Sequence, residues 1–174
     1  MKKVFILTLI FFLTGCSSNM KPTDFKDQKP RLIIEDYLSG NVKAWGILQN
    51  RSGKVIRQFS ANLYGKWDGK QLILDEKFNW SDGEVQTRQW KINKKDEHNY
   101  EGTAGDVVGT AKGFSYGPAF KFEYVLLVPV KGKEIKITFD DWIFKQDERV
   151  AINRATMTKF GIKVAELTVM FVKD

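Results

Sequence analysis

Val55-Ile56-Arg57-Gln58-Phe59-Ser60-Ala61-Asn62-Leu63-Tyr64-Gly65-Lys66-Trp67, followed at once by Asp68-Gly69 and then by Lys70-Gln71-Leu72-Ile73-Leu74, decides the fold. Val55, Phe59, Ala61, Leu63 and Trp67 share one phase of a two-residue period, with Gln58, Ser60, Asn62 and Lys66 on the other. A period of two belongs to a strand with one buried face. Asp-Gly between two such runs suits the left-handed torsions of a two-residue hairpin turn. The unit therefore predicts strand, tight turn, strand, antiparallel.

The same grammar continues in both directions. Upstream, Val42–Gln49 is a strand ending in the turn Asn50–Gly53. Downstream, Leu72, Leu74, Phe78 and Trp80 agree in phase up to a second Asp-Gly at 82–83. Gln86–Ile92 follows, then a polar turn at Asn93–Asn99 and two weaker, Gly-rich strands at Tyr100–Asp106 and Thr110–Tyr116. Phe120, Phe122, Tyr124, Leu126, Val128 and Val130 make the longest aligned face, and Lys131-Gly132-Lys133 turns into Ile135, Ile137, Phe139 and Ile143. Val150–Phe160 and Val164–Val172 complete the series, the latter with Ala165, Leu167, Val169 and Phe171 in phase. About ten strands in succession leave no segment for a crossover helix, which parallel pairing requires. A meander of that many twisted strands closes on itself or splits into two sheets. Closure removes the edges, so we expect an all-β, antiparallel up-and-down barrel of the lipocalin or calycin kind, with a sandwich as the alternative. Before it, apolar residues at 33, 34, 37 and 38 have helical spacing and predict a short helical turn ahead of Gly40.

The N-terminal segment reads differently. Lys2 and Lys3 precede an apolar run from Val4 to Leu13. A membrane-spanning helix needs about 20 residues, so this run fits a secretory signal better. Leu13-Thr14-Gly15-Cys16 resembles the lipobox of bacterial lipoproteins, in which the cysteine becomes the acylated first residue. The resemblance implies a signal peptide over 1–15, palmitate-type acylation of Cys16, a flexible tether over 16–31 and a single barrel domain over 32–174. Removal of residues 1–15 leaves 159 residues, one domain's worth. More than one acyl chain gives stable attachment. Ser17 after the cysteine implies the outer rather than the inner membrane, on its periplasmic face. Cys16 is the only cysteine, so no internal disulfide forms.

Several motifs then carry a wider resemblance: Ala44-Trp45-Gly46, Arg51-Ser52-Gly53-Lys54-Val55, Asp82-Gly83-Glu84, Gly102–Gly109, Phe139-Asp140-Asp141-Trp142 and Asn153–Gly161. Together they are similar to the bacterial lipoproteins of domain-of-unknown-function family 3833. That resemblance implies a lipid-anchored protein of a Gram-negative envelope and no particular reaction.

Composition excludes several chemistries. The formal charge is +7, falling to +5 without Lys2 and Lys3, but basic residues are spread with acids between them. A nucleic-acid partner would call for a clustered stripe. The outward phases carry Lys66, Lys77, Lys121, Lys136 and Lys163, which a membrane-embedded barrel would not tolerate facing lipid. One histidine, His98 in a polar turn, and one cysteine do not build a zinc site or a hydrolase triad. Gly102–Gly109 lacks the lysine and helix of a phosphate loop. Asp140 and Asp141 are strand neighbours on opposite faces and do not form an acid/base pair. We expect no enzyme, no cofactor and no metal.

One pattern remains. Arg57, Glu76, Arg88, Asp141 and Arg154 fall in phase with apolar residues of their strands. Buried charges are costly unless paired. Bulges could turn some of them outward, or the five could form an internal ion-pair network. The functional reading is a polar site in an apolar cavity. Three arginines against two acids leave a positive charge for a carboxylate or phosphate head. Phe120, Phe122, Tyr124, Phe139 and Trp142 would line the tail of a fatty-acid-like amphiphile. The alternative is a structural or assembly lipoprotein with a filled barrel that binds an envelope protein. A cavity of about 300–1,000 Å³ would distinguish them.

Overall fold

A computed structural model describes residues 20–130 and 132–174. The signal sequence, Cys16 and the start of the tether lie outside the described residues.

Ten strands run in order: β1 Gly40–Asn50, β2 Val55–Trp67, β3 Gln71–Trp80, β4 Val85–Lys94, β5 Asn99–Thr103, β6 Ala111–Tyr116, β7 Ala119–Val130, β8 Lys133–Lys145, β9 Val150–Lys159 and β10 Ile162–Lys173. Each pairs antiparallel with its neighbour, and β1 pairs with β10 to close the barrel. The barrel and not the sandwich is therefore the answer to the periodicity. Gly69 and Gly83 have φ of 96° and 87°, as the two Asp-Gly turns require.

The two ends differ. Turns at 51–54, 81–84 and 160–161 surround an open mouth. The opposite end is plugged by the single-turn helix α1, Ile34–Tyr37. Leu32, Ile34, Tyr37 and Leu38 are buried under the strands. Gly65 makes this possible: a Cβ there would lie 1.9 Å from the Leu38 carbonyl oxygen. Lys173 Nζ donates to the carbonyls of Asp36, Tyr37 and Ser39, tying the end of β10 to the end of the helix.

The stretch read as a tether over 16–31 folds onto the barrel where it is described. A 3-10 turn, Pro22–Phe25, lays the Phe25 ring 5.4 Å from Phe144 and 6.0 Å from Trp142. One aromatic anchor in a polar segment outweighs the composition, because it covers two rings that would otherwise face water. No helix among the described residues is long and apolar enough to cross a membrane.

β5 stops at Thr103, short of the expected Asp106, and β6 starts at Ala111. Both strands therefore line only the closed half of the wall. β4 pairs with β5 over Lys91–Lys94 alone, so Val85–Trp90 have no β5 partner. The loop 104–110 fills the gap and is stitched to β7 by Val108 N–H to Val125 O at 2.8 Å and Leu127 N–H to Asp106 O at 2.9 Å.

Candidate ligand-binding cavity

The interior is not filled. A cavity of about 250 Å³ runs from Ile34 and Leu38 at the closed end to Leu48, Trp80 and Met157 near the mouth. Its volume is just below the usual span of small-ligand sites. Strand alternation supplies an apolar wall. Phe120, Phe122 and Tyr124 on β7 and Phe139 on β8 all face inward, as expected. Tyr124 stacks on Phe139 with centroids 5.0 Å apart, and Trp90 meets Phe122 at 5.0 Å and Tyr124 at 5.3 Å.

Trp142 does not line this cavity. It is buried, but on the outer face, stacked on Phe144 beneath Phe25. The expectation failed because an outward aromatic can be buried by a segment outside the sheet. Arg154 also faces out. Its side chain is 63 % exposed and pairs with Glu166 on β10. The inward phase of β9 is Ala151, Asn153 and Ala155, while Ile152 is exposed. Phasing β9 on its largest apolar residue therefore inverted the strand.

Four of the five in-phase charges do point inward. Glu76 and Arg88 are directly paired across β3 and β4, with Arg88 Nη1 3.5 Å from Glu76 Oε2. Arg88 also meets Asp106 through both Nε, at 3.0 and 3.1 Å, and Nη2 at 2.8 Å. Asp106 comes from the loop that spans the strand gap, so one carboxylate joins β4 to β7 where the ladder is missing. Asp141 accepts from Tyr124 OH at 2.8 Å and from the Asn153 amide. Asn153 also donates to the Trp142 carbonyl at 3.0 Å. Arg57 sits at the mouth, its guanidinium 4.0 Å over the Trp80 ring, and pairs with Asp82 at 2.7 Å and Glu84 at 2.8 Å.

Burial sets the protonation of this cluster. Desolvation, only partly offset by Arg88, pushes the Glu76 carboxyl up to about 7. Desolvation likewise pushes Asp141 up to about 6, against the hydrogen bonds from Tyr124 and Asn153. Burial works against the Arg88 cation, but Glu76 and Asp106 more than restore it and raise its pKa. Burial and the neighbouring Asp141 keep the Tyr124 phenol protonated.

The charge balance is the reverse of the one expected. The cavity lining holds Arg57 and Arg88 against Glu76, Glu84, Asp106 and Asp141. Arg154 has left the set and Asp106 has joined it. Two buried atoms, Glu76 Oε2 and Arg57 Nε, have no hydrogen-bond partner among the described residues. Asp106 and Asn153 were not legible as site residues. Asp106 acts from a loop, where phase carries no information, and Asn153 is polar on a strand whose large apolar residue points out.

The family model described as "Protein of unknown function (DUF3833)" matches residues 10–173. No curated protein matches the chain. Among solved structures, the S-type phycobiliprotein lyase CPES from Guillardia theta superposes with a TM-score of 0.59 at 8% identity, over 80% of this chain and 90% of that one. A DUF3598 protein of unknown function from Nostoc punctiforme gives 0.58 at 14% identity, over 84% of this chain and 51% of that one, about half its length. At these identities the likeness is one of fold: a lipocalin-like barrel.

Proposed function

The chain belongs to the DUF3833 family of proteins of unknown function, and from that premise and the cavity we propose that it is a lipid-anchored envelope protein that holds a small amphiphile in its barrel. The ligand's apolar part lies along Phe120, Phe122, Tyr124 and Phe139. Its polar end donates hydrogen bonds, as an alcohol or amine does, to the acid cluster. The observation that carries this reading is the buried Glu76 Oε2, which has the 3.5 Å ion pair with Arg88 but no hydrogen bond among the described residues, in a cavity where acids outnumber arginines two to one. A buried polar atom without a hydrogen bond is expensive, and a donor from a guest removes that cost. A carboxylate head meets the opposite situation: Arg88 is already held by Asp106, and Arg57 by Asp82 and Glu84. The fatty-acid-like ligand suggested by three inward arginines thus gives way to a neutral or cationic one.

Melting temperatures with decanol, decylamine and decanoate test the reading. The alcohol and the amine should stabilise the protein, by about 2.7 kcal/mol at a hundredfold excess over Kd, and decanoate much less. Equal stabilisation by all three, or by none, would count against it. None by any would favour the filled-barrel assembly protein instead.

Anchoring is a separate part of the proposal. The lipobox at Leu13–Cys16 supports acylation of Cys16, and Ser17 supports the periplasmic face of the outer membrane in a Gram-negative cell. Cys16→Ala should leave an unprocessed or mislocalised precursor. Normal processing and membrane fractionation of that variant would sink the anchor.

A further inference from the structure

Large exposed apolar residues occur at both ends of the described barrel, Tyr64, Ile152 and Met170 near the closed end and Val55, Ile56, Val85, Val130, Phe160 and Ile162 at the mouth. Only at the mouth does one, Phe160, sit at a hairpin tip, and among the described residues none lies in the closed-end turns 68–70, 95–98 or 146–149. Two hairpins carry this pattern beyond the rim. β1 and β10 pair no further than Asn50 and Ala165, so Ile162 and the turn before it overhang the β1–β2 turn. β8 and β9 pair no further than Thr138 and Thr158, so the β7–β8 tip, paired up to Val130 and Lys133, also projects.

Phe160 is the most telling residue. It leads the two-residue β9–β10 turn with φ 51°, followed by Gly161 at 75°. That turn wants Asn, Asp or Gly at its first position, and a bulky aromatic there is strained. In return the phenyl ring, 93 % exposed, gains only the Lys159 ammonium 5.4 Å from its centroid. At the same end of the barrel lie Arg51, Lys54, Lys133 and Lys159, none of which has an ion-pair partner among the described residues. Lys163 pairs with Glu166, and Arg57 accounts for Asp82 and Glu84, leaving Glu134 as the acid of the β7–β8 tip.

We propose that the mouth end, led by Phe160 and Ile162, docks on the surface of a bilayer carrying anionic phospholipid. Apolar side chains at projecting tips enter the acyl boundary, and the lysines and arginines of the same end meet the headgroups. A protein partner would not need the unpaired cations at the same end as the apolar tip. Docking places the mouth of the cavity against lipid, on a bilayer other than the one that would hold Cys16, because the segment after Cys16 meets the barrel at its closed end, Phe25 on Phe144; it does not rest on the cavity's occupant.

Because Cys16 is the only cysteine, the full chain carrying Cys16→Ser accepts one fluorescent label at an introduced cysteine. An environment-sensitive dye is placed at Ile162→Cys or, at the closed end, at Lys70→Cys. Vesicles of phosphatidylglycerol should shift the label at 162 to the blue and expose it to quenchers in the acyl chains, and should leave the label at 70 unchanged. Phosphatidylcholine should do neither. Phe160→Asn should abolish the response while the melting temperature holds or rises, since Asn accepts positive φ. Lys133→Gln and Lys159→Gln should each weaken the vesicle dependence roughly fivefold. A label at 162 indifferent to phosphatidylglycerol, equal responses at 162 and 70, or a response surviving Phe160→Asn would overturn the proposal. An unresponsive rim would point to a protein partner. Failure of the alcohol and amine to stabilise the barrel would leave the vesicle result unaffected, so the two readings fail separately.

Discussion

The barrel buries a carboxylate at its closed end and another at its waist, and treats them oppositely. Glu35, on α1 and 3 % exposed, receives the Lys94 ammonium and the Tyr100 hydroxyl, the latter at 2.9 Å. Around it Ser115 Oγ donates to the Leu32 carbonyl and Tyr37 OH to those of Arg149 and Phe171. Every one of these bonds joins the plug to the wall. Glu76 faces an arginine that another acid already holds, and one of its oxygens has no donor among the described residues. A fully satisfied polar network fixes a structure; a partly satisfied one invites a guest. The plug is the part of the interior built to stay, and the waist is the part built to be completed.

The largest test of that contrast is Gly65→Val. Its side chain would collide with the Leu38 backbone, which cannot move aside without unseating α1. We expect a loss of about 4 kcal/mol or more in urea unfolding. A loss near 1 kcal/mol would mean the plug is loosely held. Next is Glu35→Gln, which strands the Lys94 ammonium beside a neutral amide and should cost about 3 kcal/mol.

Glu76→Gln should do the reverse, and only at higher pH. A carboxyl raised in the folded state contributes stability in full below its unfolded value and loses it as pH climbs through the folded one. For Glu76 that window runs from 4.5 to about 7, and for Asp141 from 3.8 to about 6. The two groups together should therefore lower stability between pH 4 and pH 8 by on the order of 5 kcal/mol. Glu76→Gln should flatten much of the slope and stabilise the protein at pH 8. An unchanged slope would show that Glu76 does not titrate in this range. The smallest effect belongs to Arg154→Met. With its guanidinium in solvent, stability and ligand preference should move by less than about 0.5 kcal/mol. A larger effect on ligand preference would restore Arg154 to the site.

Legibility followed the physics of each element. Strand pairs joined by Asp-Gly announce themselves locally, and β2 and β3 lie where their alternation puts them, Val55–Trp67 and Gln71–Trp80. The family resemblance agreed with the match over residues 10–173. The inward placement of Arg57, Glu76, Arg88 and Asp141 was also legible, because each has an apolar neighbour two residues away in its strand, on both sides for all but Arg88, which has Trp90 alone. Most of what failed needed information from elsewhere in the chain. That Trp142 faces away from the cavity follows from its phase, opposite to Phe139 and Ile143; that it is buried all the same depends on Phe25, more than a hundred residues earlier. Whether Arg88 is free depends on Asp106, placed by the early end of β5. The orientation of β9 depends on two alanines, whose small size makes room inside but leaves no mark in a hydropathy pattern.

Closure by β1 and β10 also sets the order of events in folding. Each of the other nine pairings joins strands adjacent in sequence, whereas Val42 pairs with Lys173, more than a hundred residues away. Local hairpins form early and the most distant contact late, since long loops must be ordered before that contact rewards them. Until the last dozen residues arrive, β1 presents an unpaired edge of the kind that templates aggregation. Amide protection during refolding should accordingly appear along β3 and β4 before it appears at the β1 amides that bond β10. Protection of the β1–β10 seam in the earliest phase would rule out this order.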